Sequence, residues 1–459
     1  MMKENRKIVL KEDALNILGA LGEEFAIVHN PDYVHPEVEL YPLANKITGP
    51  LDSIAAVLMD MDGTTTTTEE LCIHSLEFMI RRMSNRLDKS VWGGLDHNED
   101  YPHIIGNSTT KHVEYLIRKY QTSFIIEHSQ KAFLHSALWT LILGKDKQRQ
   151  EDVRNNLNNL NLSGLLEDPK YLELKKSKVF AKKDENIITD YFFEKYSNDF
   201  SEFGFNEFVR IGIDIYYQRY HQILERMKQG EGQLISEELF NDKDKHLIEP
   251  MPGVEIFLPM VKGWLGKDVE FLFEEMIDCY EVKSGENFNR ENLEQVKADL
   301  VKVSSFFENS PAKVAIVTSS IFYEADIVIA EVFRVLCSRF EKMNLPEAKK
   351  QFLKNKFSDY KYFYDSVVTA SDSNEIRLKP HRDLYSIALH QVGIPKDKFR
   401  NVIGFEDSES GTIAIRAAGI GLCVAVPFAQ TSGHNFEAAT FICKGGLPET
   451  LLKHKLFLI

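Results

Sequence analysis

The hydrophobic and polar positions divide the chain into a central helical region and flanking stretches of strand-like sequence. The apolar residues 56–59 run into Asp60 and are followed by Met61, Asp62 and Gly63. A continuous apolar run closed by a glycine predicts a buried strand that leads into a turn. From about residue 69 to residue 249, apolar residues recur at spacings of three and four. That spacing predicts a long series of helices.

Strand-like runs return in the last third of the chain and alternate with helical patterns there. Short apolar strands that alternate with helices predict a parallel sheet covered by helices on both faces. The strand before Asp60 is expected to join the same sheet. The predicted fold is therefore α/β, a doubly wound, Rossmann-like sheet with an inserted, mostly α-helical domain. The predicted strands are 313–320, 365–370, 401–405, 422–426 and 440–442, and the predicted helices between them include 383–391 and 410–418.

The same pattern predicts how the chain is divided into domains. Residues 1–52, with a short helical pattern and proline-interrupted turns, are predicted to be an accessory segment. The Rossmann-like core is assigned to residues 53–65 and 250–459, and the helical domain to residues 66–249. Charged helical patterns near 263–308 and 322–362 are expected to be insertions in the core.

The composition indicates which class of protein this is and which partners its charge disfavours. With 459 residues, 43% hydrophobic and 27% charged, the chain is typical of a globular protein. A net charge of -14 argues against nucleic acid as a partner, because that binding neutralises phosphates with basic side chains. A small anionic substrate stays compatible with this charge, since a local site can be positive on an acidic protein.

Cysteine usage and hydropathy predict a cytoplasmic protein that does not enter a membrane. The five cysteines are scattered and form no C-x-x-C pair, so neither a zinc site nor a disulfide framework is indicated. The first residues lead into no apolar signal core, and the longest apolar-leaning segment, near 132–143, is too short to span a bilayer.

Polar side chains stand where the predicted strands end. Ligands of doubly wound sheets bind beyond the carboxyl ends of the strands, so these side chains are candidates for one site. Asp60 and Asp62, two residues apart, would face a common side of their strand. The strand ends carry Asp60 and Asp62, then Thr318 and Ser319, then Glu406 and Asp407, and Lys379 precedes the helix at 383–391.

Each of these residues also has an ordinary structural interpretation. The Asp60 and Asp62 pair alone fits an acidic strand end in water, Thr318 a strand-end hydroxyl, and Lys379 a solvated surface charge. Together, however, the set offers oxygen ligands that suit Mg²⁺, with hydroxyls and a lysine for a phosphoryl group. The sequence has no G-x-x-x-x-G-K-[ST], H-E-x-x-H or G-x-S-x-G motif, which disfavours rival nucleotide, zinc and serine chemistries.

Four motifs in order resemble those of the haloacid dehalogenase superfamily. The first, D-x-D-G-[TV], matches residues 60–64, and the second, an apolar strand ending in Ser or Thr, matches residues 314–318. The third, a lysine often followed by proline, matches Lys379 and Pro380. The fourth, G-x-E-D-S-x-x-G, matches residues 404–411. The resemblance covers the first strand and most of the chain from residue 249 onward.

The resemblance implies roles for the carboxylates. Asp60 would attack phosphorus in line and form an aspartyl-phosphate, and Asp62 would protonate the leaving alkoxide and then activate water. Mg²⁺ would be the cofactor. The Asp60 carboxylate, the Asp62 backbone carbonyl and Asp407 would hold it, with Glu406 as a further ligand or directly behind the ligands.

The resemblance also implies a substrate and roles for the remaining polar residues. Thr318 and the amide of Ser319 would bind phosphoryl oxygens, and Lys379 would neutralise charge on the nucleophile and the phosphoryl group. The expected partner is a small phosphorylated metabolite. The first hypothesis is a phosphatase, and a sugar phosphate is one candidate substrate.

The helical region is similar in position to the superfamily's C1 cap, a domain inserted directly after the first motif. Residues 249–254 are similar to the P-x-P-G-V stretch that ends such caps. Residues 105–110 resemble the cap's specificity loop, from which Asn107, Ser108, Thr109 and Lys111 would reach the substrate. An ordinary helix N-cap at Ser108 or Thr109 fits these residues equally well.

Within the superfamily the chain is most similar to the β-phosphoglucomutase-like branch, which holds mutases and phosphatases. Mutases carry a histidine twelve residues beyond the nucleophile and an arginine in the specificity loop, where this chain has Cys72 and Thr109. Both differences favour hydrolysis over a phosphosugar mutase. Dehalogenases lack the second aspartate, so Asp62 argues against that activity. A catalytically inactive binding protein on the same fold is the remaining alternative.

Overall fold

The computed structural model describes residues 8–30, 34–104, 109–180, 184–242, 245–374, 377–428 and 431–458. The chain forms two compact units. One consists of Met1–Thr67 together with Glu249–Ile459, and the other is Thr68–Ile248. The first contains the strands, and the described part of the second is helical.

The strands form one central sheet and two small pairs. The ten strands of the described chain are β1 (Phe25–His29), β2 (Val38–Pro42), β3 (Ala56–Asp60), β4 (Thr66–Thr67), β5 (Glu249–Pro250), β6 (Lys313–Val317), β7 (Ser366–Val368), β8 (Val402–Glu406), β9 (Leu422–Ala425) and β10 (Phe441–Ile442). The central sheet has the order β10-β9-β8-β3-β6-β7, and its neighbouring strands are parallel. The pairs β1–β2 and β4–β5 are antiparallel.

Helices connect and cover these strands. They are α1 (Lys11–Leu21), α2 (Glu69–Ser84), α3 (Tyr101–Ile104), α4 (Thr109–Tyr120), α5 (Ile126–Ile142), α6 (Lys147–Asn159), α7 (Pro169–Ser177), α8 (Glu185–Tyr196), α9 (Phe205–Lys228), α10 (Gly232–Phe240), α11 (Val254–Val261), α12 (Phe273–Ser284), α13 (Leu293–Asn309), α14 (Phe322–Lys342), α15 (Glu347–Lys356), α16 (Tyr360–Phe363), α17 (Asp383–Gln391), α18 (Glu409–Ala417) and α19 (Gly446–Leu452). The predicted α/β class, with a parallel sheet and a long helical excursion, is confirmed.

The sheet order places β3 at the centre of the first unit. From β3 the chain builds β6 and β7 on one side, and later β8, β9 and β10 on the other. The direction of winding therefore changes between β3 and β8, and such a point opens a crevice beyond the carboxyl ends of the strands. Every residue of β3 and β8 is buried, as expected for apolar strands covered on both faces.

Strand register brings the ends of three strands to one level. Asp60 lies opposite Val317 of β6, and Met59 lies opposite Phe405 of β8. The residues that follow Val317 and Phe405 are Thr318 and Glu406. Parallel pairing in this register therefore delivers the predicted site residues to the same edge of the sheet.

The charged segments predicted as core insertions are helical. The first contains α12 and α13, and the second contains α14, α15 and α16. In the second segment the aromatic rings of Phe333, Phe357 and Phe363 pack against one another at centroid distances of 4.7 to 5.4 Å. This segment therefore has an apolar centre of its own.

The helical unit is built around α9. That helix buries apolar residues at helical spacing, including Ile211, Ile215 and Leu224, and packs against α2, α4 and α5. Within the described residues, no helix of either unit is both long enough and apolar enough to cross a bilayer.

One carboxylate of this unit, Asp214 on α9, is buried and gives a testable pH dependence. Asn156 donates a hydrogen bond to Asp214 Oδ2 over 2.8 Å, and burial raises the pKa of the carboxyl to about 7. Because the folded pKa exceeds the ordinary 3.8, stability should fall as pH rises from about 4 and level off above pH 7. A pKa shift of this size means that ionising the Asp214 carboxyl lowers the free energy of unfolding by roughly 4 kcal/mol.

Asp214→Asn should remove this dependence. We expect the variant to unfold at higher urea concentration than wild type at pH 8 and at nearly the same concentration at pH 5. The matched control is Asp190→Asn, since the Asp190 side chain is 55% exposed. If both variants shift equally at pH 8, Asp214 is not the titrating group.

Candidate active site

The first part of the site is the turn that follows β3. The Thr65 hydroxyl donates to the Asp60 carbonyl over 2.6 Å, and the Gly63 amide donates to the Thr66 carbonyl over 2.8 Å. Gly63 has φ +77°, and a Cβ atom there would lie 2.5 Å from Asp407 Oδ2. Glycine is therefore required both by the backbone conformation and by the approach of Asp407. The threonine-rich segment closes the turn that presents Asp60 and Asp62.

The side chain of Lys379 is only 6% exposed and joins two carboxylates of the site. Its ammonium group forms an ion pair with Asp60 Oδ1, another with Glu406 Oε1 at 2.6 Å, and donates to the Val317 carbonyl over 2.9 Å. Burial opposes the charged form of the lysine, but the two carboxylates outweigh it and raise the pKa of Lys379. The lysine is thus not a solvated surface charge, which was its ordinary interpretation.

Glu406 is held by donors on both of its carboxylate oxygens. Oε1 accepts from Lys379 and, over 3.3 Å, from the Tyr385 hydroxyl. Oε2 accepts from the amides of Asp407 and Ser408 over 3.1 Å and from the Ser408 hydroxyl over 2.8 Å. Both oxygens therefore already have donors, and this geometry fits the prediction of Glu406 behind the metal ligands better than as a direct ligand.

The helix that follows explains the glycine of the fourth motif. Ser408 is the N-cap of α18, and its hydroxyl accepts from the Gly411 amide over 3.1 Å. A Cβ atom on Gly411 would lie 1.8 Å from Glu406 Oε1, so no larger residue fits there. The carboxylate consequently sits against the N-terminal end of a helix, where negative charge is favoured.

Three buried carboxylates are grouped closely enough to hold a cation. Ligand oxygens of Asp60, Glu406 and Asp407 lie within 4.8 Å of one another. Burial, and then the Glu406 carboxylate, raises the pKa of Asp60 well above its usual range, although Lys379 opposes the shift. A cation near Asp60 and Asp407 would restore the ionised form of Asp60, and oxygen donors of this kind suit Mg²⁺. The residues present therefore fit the metal that the sequence predicts.

The hydroxyl residues after β6 have different environments. Thr318 is buried, and its hydroxyl accepts from the Ser320 amide over 3.0 Å. Ser319 is exposed. The Ser320 hydroxyl donates to Asp62 Oδ2 over 3.3 Å. Thr318 thus lies at the predicted edge and orders the turn, and Ser320 supports the second aspartate.

The predicted cap residues lie in the helical unit or outside the described residues. Asn107 and Ser108 lie outside the described residues. Thr109 is the first residue of α4 and accepts from the Tyr217 hydroxyl over 3.3 Å, and Lys111 is exposed on the same helix. Their predicted contact with a substrate stays a prediction.

Sequence reasoning missed several residues that complete the site. Tyr385 lies in the helix after Lys379, with the lysine nitrogen 5.3 Å from its ring centroid. A Cβ atom on Gly63 would also lie 2.6 Å from Phe428. The hydroxyl run 318–320 gave a signal for Ser320, whereas Tyr385 and Phe428 are ordinary aromatic residues in the sequence. Only the fold shows that these two rings line the site.

No protein-family model matches this chain, and no curated protein matches it. Among solved structures, CbbY from Rhodobacter sphaeroides in complex with phosphate is 13% identical, with a TM-score of 0.36, over 85% of this chain and 93% of that chain. The HAD phosphatase from Thermococcus onnurineus is 14% identical, with a TM-score of 0.30, over 87% of this chain and 96% of that chain.

The name of the second structure places that protein among the haloacid dehalogenase phosphatases. The assignment of chemistry depends on the arrangement of Asp60, Asp62, Lys379, Glu406 and Asp407.

Proposed function

We propose that this protein is a Mg²⁺-dependent phosphatase that hydrolyses a small phosphorylated metabolite, with a sugar phosphate as one candidate class. The observation that carries the proposal is the buried contact of Lys379 with Asp60, beside the Glu406 and Asp407 carboxylates. The ammonium group of Lys379 holds one carboxylate oxygen of Asp60 and so restricts the orientation of that side chain. Lysine and metal charge together suit a transferring phosphoryl group.

Hydrolysis would proceed in two displacements. Asp60 attacks phosphorus, the bond to the ester oxygen breaks, and the leaving alkoxide takes a proton from Asp62. The ionised Asp62 then accepts a proton from water, which attacks the phosphorus of the aspartyl-phosphate and releases inorganic phosphate and free Asp60. The half-buried position of Asp62 and its hydrogen bond from Ser320 suit a group that changes protonation during turnover.

The carboxylates of Asp60 and Asp407 and the Asp62 backbone carbonyl would hold the metal. Bound Mg²⁺ would neutralise negative charge on the phosphoryl group and on the nucleophile. Glu406 would fix the Asp407 loop through its bonds to the backbone amides of Asp407 and Ser408. Thr318 and the Ser319 amide would receive phosphoryl oxygens at the end of β6.

Turnover of p-nitrophenyl phosphate tests the proposal. Purified protein should release p-nitrophenol with Mg²⁺, lose at least about 95% of that rate in excess EDTA, and recover it when Mg²⁺ is restored. Ca²⁺ is the control ion, since its larger size and looser geometry should support little turnover. Absence of Mg²⁺-dependent release, for this ester and for a panel of phosphorylated metabolites, would overturn the proposal.

The same preparation separates hydrolysis from transfer between positions of a sugar. A phosphatase releases inorganic phosphate from a hexose monophosphate in the absence of any bisphosphate. A mutase would isomerise the sugar phosphate and require a bisphosphate activator. Cys72 and Thr109, at the two positions where mutases carry histidine and arginine, support the first outcome.

A further inference from the structure

The N-terminal segment, predicted only as an accessory element, contains a β-hairpin that contacts the lysine loop of the site. The hairpin consists of β1 and β2, paired from Phe25 opposite Pro42 to His29 opposite Val38. Glu39 and Tyr41 are two residues apart on β2, so their side chains point to the same face. The lysine loop, defined here as residues 377–383, contains Lys379 and leads into α17, which begins at Asp383.

The two β2 side chains contact the loop on opposite sides of the lysine. Tyr41 and His381 are both buried, and the Tyr41 hydroxyl lies 2.5 Å from His381 Nδ1. Arg377 Nη1 donates to Glu39 Oε2 over 3.2 Å. Each loop contact is thus two residues from Lys379, one before it and one after it.

Hydrogen-bond directions can be assigned along this set of contacts. The Tyr41 hydroxyl donates its single proton to Glu39 Oε2 over 2.8 Å, so His381 Nδ1 donates to the hydroxyl oxygen. Arg377 also forms a two-pronged pair with Asp383, at 2.9 and 3.1 Å, at the first turn of α17. Every link is satisfied, which favours one loop conformation over others.

The hairpin also packs on the helix that follows the metal carboxylates. Ala26, Val28, Tyr41 and Leu43 form a buried cluster with Ala417 of α18. Arg416 of α18 is fully buried, donates to the Ala44 carbonyl over 2.5 Å and pairs with Glu24. One hairpin therefore contacts both the lysine loop and the helix that begins beside Glu406 and Asp407.

We propose that this hairpin positions Lys379 for the reaction, with Glu39 and Tyr41 of β2 fixing the lysine loop from both sides. The inference rests on the proposed phosphatase function. Tyr41 and Glu39 are positioning residues, because they act on the reacting atoms through the loop. A lysine displaced by a fraction of an ångström would weaken its contact with Asp60 in the transition state more than the binding of substrate.

Tyr41→Phe tests the proposal, because it keeps the buried ring and removes the hydroxyl. We expect kcat for p-nitrophenyl phosphate to fall about tenfold while KM stays within about twofold. The matched control is Val28→Ala, which shortens a buried side chain of the same hairpin and leaves the Tyr41 hydroxyl with its partners Glu39 and His381 in place. The kcat of Val28→Ala should stay within about twofold of wild type, although its Tm should fall as much as that of Tyr41→Phe or more.

A second readout needs no turnover. Amide hydrogen exchange of peptides from the 377–383 region should be faster in Tyr41→Phe than in wild type, and unchanged in Val28→Ala. Equal kcat and equal exchange in the two variants would overturn the positioning role. A wild-type protein without phosphatase activity would overturn the proposed function instead, and the exchange measurement would still decide whether the hairpin fixes the loop.

Discussion

Asp60→Asn should reduce turnover of p-nitrophenyl phosphate at least about a thousandfold, because an amide cannot form the aspartyl-phosphate. The substitution keeps the shape of the side chain and removes one of the buried carboxylates around Lys379. The pKa of Asp60 is raised by burial and by Glu406, so neutralising this residue should not lower the thermal stability. Initial rates at saturating Mg²⁺, together with a melting curve, measure both effects.

Asp52→Asn is the matched control for Asp60→Asn. It makes the same chemical change at an exposed carboxylate shortly before β3, and it should keep the wild-type rate within about twofold. If the Asp60→Asn protein still hydrolyses p-nitrophenyl phosphate at more than a tenth of the wild-type rate, another residue is the nucleophile. Loss of activity in both variants would point to misfolding.

The fold class was accessible from the sequence because the sheet is buried on both faces. Its strands are continuous apolar runs, such as residues 313–317, which stand out from the helical spacing around them. Each run is followed by polar residues, so the edge that carries Asp60, Thr318 and Glu406 could be predicted together. The parallel pairing of β3 with β6 and with β8 then brings those residues side by side.

The contacts of Lys379 could not be predicted from spacing alone. The lysine is 319 residues from Asp60 in sequence, and taken alone it fitted a solvated surface charge, so that only its place among the four motifs indicated a role in the site. Likewise, Glu39 and Tyr41 lie in a short hairpin that packs against Ala417 of α18, and the local sequence does not indicate this packing. Long-range contacts of polar side chains depend on the assembled fold, and sequence patterns report mainly on local structure.

Lys379→Met should destabilise the first unit strongly as well as abolish activity. The lysine side chain is 6% exposed and compensates two carboxylates that are themselves buried, Asp60 and Glu406. Removing one partner of a buried ion pair costs about 3–5 kcal/mol, since the remaining charges have neither water nor a counter-charge. Urea denaturation at pH 8 should show this loss, and Lys361→Met, at a lysine whose side chain is 57% exposed, should shift stability by less than about 0.5 kcal/mol.

The pH dependence of this loss identifies its electrostatic origin. Without the lysine, the folded pKa of Asp60 rises further above its unfolded value, so the folded protein binds protons that the unfolded chain releases. Stability of Lys379→Met should therefore improve relative to wild type as pH falls towards 5, where protonation of Asp60 removes part of the uncompensated charge. If Lys379→Met loses the same free energy of unfolding at pH 8 and at pH 5, the lysine stabilises the fold through packing of its aliphatic chain and not through its charge. High concentrations of Mg²⁺ should also reduce the deficit at pH 8, because a bound cation can supply part of the missing charge.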